Sequence, residues 1–478
     1  MKITRALCAS AALGAIALAA SPAHAGTPEL LKRLHEKGIL TDEEYQELLA
    51  EEARPSPAPA APASAAAPAG DATARAQAAI DTTRLVRTTE SGIGLEVGPA
   101  TITFSGSVNG FYVHDNPDTP SARTAVVGGI ANVGSNNSSA VRNGLLPGFL
   151  KIAVSTNQGG WDVGATFGMY PGINSTAWGA LGANNGGQPT ALATAGIDFR
   201  QTFLTFGKPE IGTFKIGRDI GLFGSEAILN DITLLSSGSP GSNVAPGNTT
   251  LGRIGSGYIY TDFQPQITYT SPVFSGFQAS VGVFQPLSSL TGPAESNSAP
   301  GFQGKLTYDG KFGDVATRLW VSGITQKHDL AAGGSFTGQG LDVGGKVTVG
   351  PLTALGYYYT ATGLGTTVFG LFDTGLAQNG TGISRRKSEG FYAQALATFG
   401  KFSIGGSYGE SRLDHASMAD RLANPNLVRV NSSYVGQVRY GLTSWVTLIG
   451  EYVRSKAVAH SGNSAQSDAV ALGGILFF

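Results

Sequence analysis

The sequence predicts an all-β protein, a 16-stranded antiparallel transmembrane β-barrel with a short N-terminal α-helical segment. Three observations carry that expectation. The first is the final stretch, Asp468-Ala-Val-Ala-Leu-Gly-Gly-Ile-Leu-Phe-Phe478, where Phe478, Leu476, Gly474, Leu472 and Val470 form a face without a polar side chain. Such a strand suits the wall of a lipid-embedded closed sheet; the competing reading is a buried strand of a soluble sandwich. The second is composition: 68 glycines in 478 residues and 14% charged residues, against about 7% Gly and about 25% charge in soluble domains. Alternating strands give that balance, because every second residue faces lipid. The 23 Phe and 15 Tyr argue against a disordered chain. The third is a series of tight turns between alternating segments, taken up below.

The chain opens with a signal peptide, residues 1–25. Lys2 and Arg5 form the basic end, Ala6 to Ala20 the apolar stretch, and Ala23-His24-Ala25 the cleavage site. The single cysteine, Cys8, lies inside it, so the mature chain is expected to carry no thiol and no disulfide. No later run of 18 apolar residues occurs, so a membrane span must be a closed sheet. Residues 26–53 read as a helical hairpin or coiled-coil segment. Leu30, Leu31 and Leu34 line its first helix, Gly38 ends it, and Thr41-Asp-Glu-Glu44 opens a second helix carrying Tyr45, Leu48 and Leu49. Two helices this short bury no core alone; they either self-associate or form a half-ordered tail. Residues 54–93 are a Pro/Ala-rich linker, with 71–90 open to a short helix, and the barrel, 94–478, begins near Gly94.

Strand 1 is Thr101 to Val113, with Ile102, Phe104, Val108 and Tyr112 on one face and Thr101, Thr103, Ser105, Ser107 and Asn109 on the other. Seven tight connections follow, at Asn157–Gly160, Lys208–Gly212, Ser271–Gly276, Asp309–Gly313, Gly350–Pro351, Gly400–Lys401 and Gly441–Ser444. Each joins two alternating segments, giving 14 strands; strand 1 and the C-terminal strand make 16. The count is even, with both ends on the short-turn side, as a bacterial barrel requires.

Sixteen strands enclose a water-filled lumen rather than a packed core, so function falls to the inward polar side chains. By parity, Lys151, Lys305, Arg318, Lys346, Arg429 and Arg439 face inward, with Arg200 ambiguous, and Asp162, Asp262, Asp342 and Glu451 are the matching acids. Residues 91–478 hold 23 basic and 22 acidic side chains, so the wall is basic while the barrel as a whole is nearly neutral. The longest loop runs roughly from Asp219 to Ser256, a length that is uncommon without a function. Folded inward, it narrows the pore and sets Glu226 and Asp231 against wall cations, making a transverse field that orients polar solutes.

Chemistry of other kinds finds little support. His35, His114, His328, His415 and His460 are scattered, and Asp414-His415 sits in a loop. Gly405-Gly-Ser-Tyr-Gly409 matches a nucleophile-elbow pattern around Ser407, but inside a strand with no helix after it. No phosphate loop or metal-ligand spacing occurs; the expectation is no enzyme, cofactor, metal or nucleic acid. Trp320, Tyr258 and Tyr260 are too few for a sugar-binding ladder. Arg385-Arg386-Lys387 reads either as a basic vestibule or as a loop facing lipopolysaccharide.

Arg200-Gln-Thr-Phe203, Gly212-Thr-Phe-Lys-Ile-Gly-Arg218 and Ser271-Pro-Val-Phe-Ser-Gly-Phe277 resemble the fourth strand, fifth strand and following turn of the Gram-negative trimeric porins. The C-terminal strand resembles the recognition signal of bacterial outer-membrane proteins. The resemblance covers about 380 residues and implies a homotrimer in outer-membrane lipid and lipopolysaccharide, one pore per subunit, and passive diffusion of small hydrophilic solutes and ions. By position, Arg218 would match a constriction-zone arginine. The N-terminal helical segment is more similar to DcaP-like porins and some substrate-selective channels. That leaves open a channel specific for anions such as phosphate or dicarboxylates, or a structural outer-membrane anchor.

Overall fold

Period-two alternation becomes one continuous ladder in the computed structural model, which describes residues 86–89, 92–173, 197–239, 249–379 and 382–478. The expected signal peptide, the helical hairpin and nearly all of the linker lie outside the described residues. The strands, in chain order, begin with β1 (Val86–Thr88), β2 (Ile93–Val97), β3 (Ala100–Pro117), β4 (Ser138–Arg142), β5 (Phe149–Gln158), β6 (Trp161–Pro171) and β7 (Ile197–Lys208). Next come β8 (Gly212–Ile220), β9 (Phe263–Thr270), β10 (Phe277–Phe284), β11 (Gly301–Phe312), β12 (Val315–Asp329), β13 (Ser335–Val349) and β14 (Leu352–Thr362). A small hairpin of β15 (Leu376–Asn379) and β16 (Gly382–Arg385) precedes β17 (Lys387–Phe399) and β18 (Phe402–Leu413). The last three are β19 (Val428–Gly441), β20 (Val446–Ala459) and β21 (Ser464–Phe477).

Nineteen of these share one sheet. Setting aside the short β1, β2 and β4 leaves 16 antiparallel strands, closed where β21 pairs with β3 from Ser467↔Pro117 to Phe477↔Ser107. Closure leaves no lipid-exposed sheet edge, the condition for a β structure to cross a bilayer. The sheet also reaches upstream of the expected start near Gly94. β2 runs along β3 from Ile93↔Phe104 to Val97↔Ala100, and β1 pairs with β2 inside the segment expected as linker.

All seven tight connections form. Gly350 takes a left-handed conformation (φ 53°), which lets Gly350-Pro351 reverse the chain in two residues. One turn is displaced: the expected Asp309–Gly313 connection falls at Gly313-Asp314, because β11 continues to Phe312. Along the walls, Leu341 and Val343 stand out at 54% and 50% exposed while Asp342 between them is 1% exposed. An outward aromatic row marks the short-turn end, with Phe206 5.2 Å from Phe214 and Phe214 5.0 Å from Tyr269, ring centre to ring centre. Such a girdle sits at a membrane interface.

The interior is partly filled. Helix α1 (Ser225–Asn230) and a 3₁₀ turn (Ile232–Leu235) of the loop between β8 and β9 pack inside the barrel. Phe223, Tyr258, Ile259 and Tyr260 of that loop form an apolar core with Trp320, Leu355, Tyr357 and Tyr392 of the wall and Leu364 and Phe369 of the loop after β14.

Candidate functional site

The β8–β9 loop leaves the wall at Ile220 and is pinned by side chains from four distant strands. Gln303 of β11 accepts the N–H groups of Leu222 (2.8 Å) and Phe223 (2.9 Å). Asp342 of β13 accepts Gly224 N–H at 2.9 Å. Gln394 of β17 accepts Ile232 N–H at 2.8 Å and donates to the Asn230 carbonyl at 2.7 Å. Glu451 of β20 accepts from Ser236 Oγ (2.5 Å) and Gly238 N–H (2.7 Å). Backbone groups buried in an irregular loop need such partners, and inward wall residues provide them. Gly224 lets α1 start here: its φ is 71°, and a Cβ on it would meet the Ile259 carbonyl oxygen at 2.4 Å.

Glu226, on α1, faces the wall. Its carboxylate accepts from Lys305 Nζ at 3.0 Å and from Arg318 Nε and Nη2, both at 2.9 Å. Burial pushes its pKa up, but Lys305 and Arg318 outweigh that and hold it at about 2. Arg318 also reaches Asp309 at 2.6 Å. Asp231 does not meet the wall cations as expected. It caps the 3₁₀ turn, accepting from Thr233 Oγ1 (2.6 Å) and N–H (3.1 Å), and its charged neighbour is Arg253 of the same loop at 3.8 Å. Burial raises the Asp231 pKa, against the pull of Arg253.

The other expected residues divide. Lys346 donates to Asn230 Oδ1 at 2.6 Å, and Arg439 to the Ile232 carbonyl at 2.7 Å and Gln437 Oε1 at 2.5 Å. Both therefore touch the loop through neutral oxygens. Lys151 pairs in register with Ser105 and Gly168 on the inward row of β5. Arg200 is buried, paired with Asp198 at 2.6 Å and stacked over Tyr170 at 4.8 Å. A register shift between Gly168 and Tyr170 explains its ambiguous parity, because the extra residue on β7 breaks strict alternation there. Arg429 stands exposed at the outer end of β19, beside a bulge between Val428 and Val430.

Arg218 is a correction. It pairs with Thr202 and Pro265 and shares the outward face of β8 with Ile216, while Lys215 and Asp219 take the inward face and bond to each other. Its guanidinium donates to the Phe263 carbonyl at 2.7 Å. The parity of β8 already contained this answer: Phe214, Ile216 and Arg218 lie on one face.

Lys215, Arg253, Gln303 and Gln394 were missed as contributors. Lys215 was readable by parity; Arg253 and the two glutamines were not, since their roles depend on partners far along the chain. Among the candidate acids, Asp162 bonds Asn157 at a short turn (2.9 Å), and Asp262 is buried with a left-handed backbone (φ 63°). Tyr258 and Tyr260 belong to the loop and are buried in one core with Trp320 of the wall, so the three present no ladder. Arg386 is buried in a two-bond pair with Asp420 (2.9 and 2.7 Å), which removes it from any basic vestibule. Ser407 of β18 donates to the Ala393 carbonyl of β17 at 3.0 Å, and His415 lies against His460 with ring centres 3.9 Å apart and the planes tilted by 36°. No group of three or more metal-ligating side chains occurs among the described residues.

The Gram-negative porin family matches residues 60–460. The chain belongs to the Gram-negative porins. Like its family, this porin is an outer-membrane channel. A search of curated protein sequences finds no match. Among solved structures, the porin is similar to the outer-membrane channel DcaP of Acinetobacter baumannii, with 17% identity, a TM-score of 0.61, and coverage of 82% of this chain and 99% of that one. It is also similar to an anion-selective porin from Comamonas acidovorans (13%, TM-score 0.52, 79% and 100% covered). A third is Salmonella typhi OmpF in complex with daunomycin (11%, TM-score 0.51, 80% and 98% covered). At these identities the likeness is one of fold.

Proposed function

We propose that this porin passes small hydrophilic solutes and ions by passive diffusion, with a mild preference for anions set at the β8–β9 loop. The observation that carries the reading is the pinning of Glu226 between Lys305 and Arg318. It holds the loop across the lumen and spends the loop's acid on the wall. Lys151, Lys346 and Arg439 add positive charge to the inward rows, and facing cations attract anions into a narrow aqueous path. No bond is made or broken; the protein supplies shape and field. We further propose a homotrimer in contact with lipopolysaccharide and membrane lipid, with residues 26–53 as a helical element.

The test is the reversal potential in a planar bilayer under a KCl gradient, with candidate solutes then added. A modest anion preference that fades with salt and shows no block supports the general channel. Strong anion selectivity with micromolar-to-millimolar block by phosphate or a dicarboxylate would replace it with a substrate-specific one. Absence of conductance would leave only the structural-anchor reading.

A further inference from the structure

We propose that the outward side of β18, β19 and β20 at the loop end holds a phosphate of lipopolysaccharide between Arg412, Arg454 and Lys456. The inference rests on the lipopolysaccharide contact proposed above and gives that contact a place. Glu410, Ser432 and Lys456 form one outward row across the three strands, with Tyr408, Tyr434 and Arg454 in the row below. Arg412 is the next outward residue above Glu410 on β18. Neighbouring strands lie about 4.8 Å apart. Arg412 on one side and Arg454 and Lys456 on the other thus flank the small Ser432, over a span of about 10 Å from β18 to β20.

The acids of this surface are already engaged. Glu410 accepts from the Tyr408 hydroxyl at 2.7 Å and from Arg412 Nε at 2.8 Å. Asp468 of β21 accepts from the Tyr452 hydroxyl at 2.5 Å and from Arg454 Nε at 2.7 Å. These bonds hold the two arginines in place and leave part of each guanidinium's donors for an outside acceptor. The Arg412 and Arg454 side chains are 55% and 47% exposed. Lys456 is exposed and pairs with no carboxylate among the described residues. Three cations against two acids leave the surface one negative charge short.

Depth selects the source of that charge. Arg412 lies ten residues beyond Phe402 of the short-turn end on the same strand. That is about 34 Å along the strand, or roughly 26 Å in height at a tilt of ~40°. A barrel's apolar band is about 25 Å tall, so the cations stand at its upper edge. Beneath them the outward wall is exposed and apolar, with Ile404, Val438 and Leu448. Tyr408 and Tyr434, with ring centres 4.5 Å apart, mark the boundary. A phosphate carried on acyl chains is delivered to this level, its chains lying along the wall below. The outer leaflet of a Gram-negative outer membrane supplies such a group as the phosphorylated head of lipopolysaccharide.

The experiment titrates the folded, full-length porin in detergent micelles with bis-phosphorylated lipid A and counts bound lipid by native mass spectrometry. Lys456→Gln and Lys456→Glu change the charge without breaking an ion pair. Lys401→Glu, in the short turn before β18, makes the same reversal at the opposite rim. The expected result is an affinity lowered roughly threefold in Lys456→Gln and roughly tenfold in Lys456→Glu. Lys401→Glu should bind as the unmodified porin does, and lipid A stripped of its phosphates should bind more weakly. Single-channel conductance, unchanged because Lys456 lies outside the lumen, reports an intact barrel. Equal affinity in Lys456→Glu and the unmodified porin would overturn the site and leave a lipopolysaccharide contact elsewhere. No binding of lipid A by the unmodified porin would overturn both. Displacement of the lipid by inorganic phosphate at the same concentration would make the ligand a free anion and overturn the lipid assignment.

Discussion

Glu226 and Asp231 sit in one loop, yet Glu226 turns to the wall and Asp231 to Thr233 and Arg253. Their removal should therefore differ in kind. Glu226→Gln strips the counter-charge from Lys305 and Arg318. A unit charge ~6 Å from the ion path in a water-like dielectric is worth about 0.7 kcal/mol, with opposite sign for an anion and a cation, so the anion-to-cation permeability ratio should rise by roughly tenfold in reversal-potential measurements. Asp231→Ala leaves Arg253 buried without its partner, a loss of about 3–5 kcal/mol. It should appear as a lower unfolding temperature of the loop and barrel, with selectivity changed less than in Glu226→Gln. The Glu226 pairing also sets a pH dependence. Its folded pKa of about 2 lies below the ~4.3 of an unfolded glutamate. The stabilisation is thus present in full above ~4.3 and is lost as pH falls towards 2. Single-channel current should be steady at pH 7 and grow noisier between pH 4 and 2; unchanged noise would separate the loop's position from this ion pair.

At the scale of elements, the strands were legible because a wall with lipid on one side and water on the other imposes period two on every segment. Leu150, Ile152 and Val154 against Lys151 and Ser155 are enough to place β5 and its two faces. The turns were legible from glycines such as Gly350, with a three-residue error where β11 runs on to Phe312. The loop's docking was not legible in detail. A glutamine such as Gln303 or Gln394 on an inward row looks like any solvated wall residue until the loop arrives 80 or 162 positions away in sequence. Asp231 carried a local hint, since Asp-Ile-Thr offers its own cap. β2 was invisible because five residues with one polar side chain, Glu96, resemble the end of a linker. The closing strand gives a test at this scale. A Cβ at Gly106 would lie 2.2 Å from Phe478 Cζ and 2.8 Å from the Phe149 carbonyl oxygen. Gly106→Ala should cost about 1–3 kcal/mol through overpacking, read as a lower temperature for the folded-to-unfolded band shift on gels.

For the whole molecule, selectivity is a sum over charges that salt screens unequally. The Debye length falls from about 10 Å at 0.1 M to about 3 Å at 1 M. A preference produced by the inward Lys151, Lys346 and Arg439 should shrink steeply over that range, whereas block at a specific anion site would retain more of its strength. Recording reversal potentials at several mean salt concentrations with a fixed ratio separates the two.

β2 has a bearing on how the barrel is joined. It lies on the same edge of β3 as β21 and runs in the same direction, beginning at Ile93↔Phe104 where β21 has stopped at Phe477↔Ser107, with Phe478 and Gly106 exchanging two hydrogen bonds of 3.1 Å. The lane beyond Phe478 is therefore occupied. A polypeptide continuing past Phe478 in register would run into Ile93, so any affinity tag fused there must peel away from the sheet, and β21 cannot slide further down β3 without displacing β2. The upstream strand works as a doorstop for the seam of the barrel.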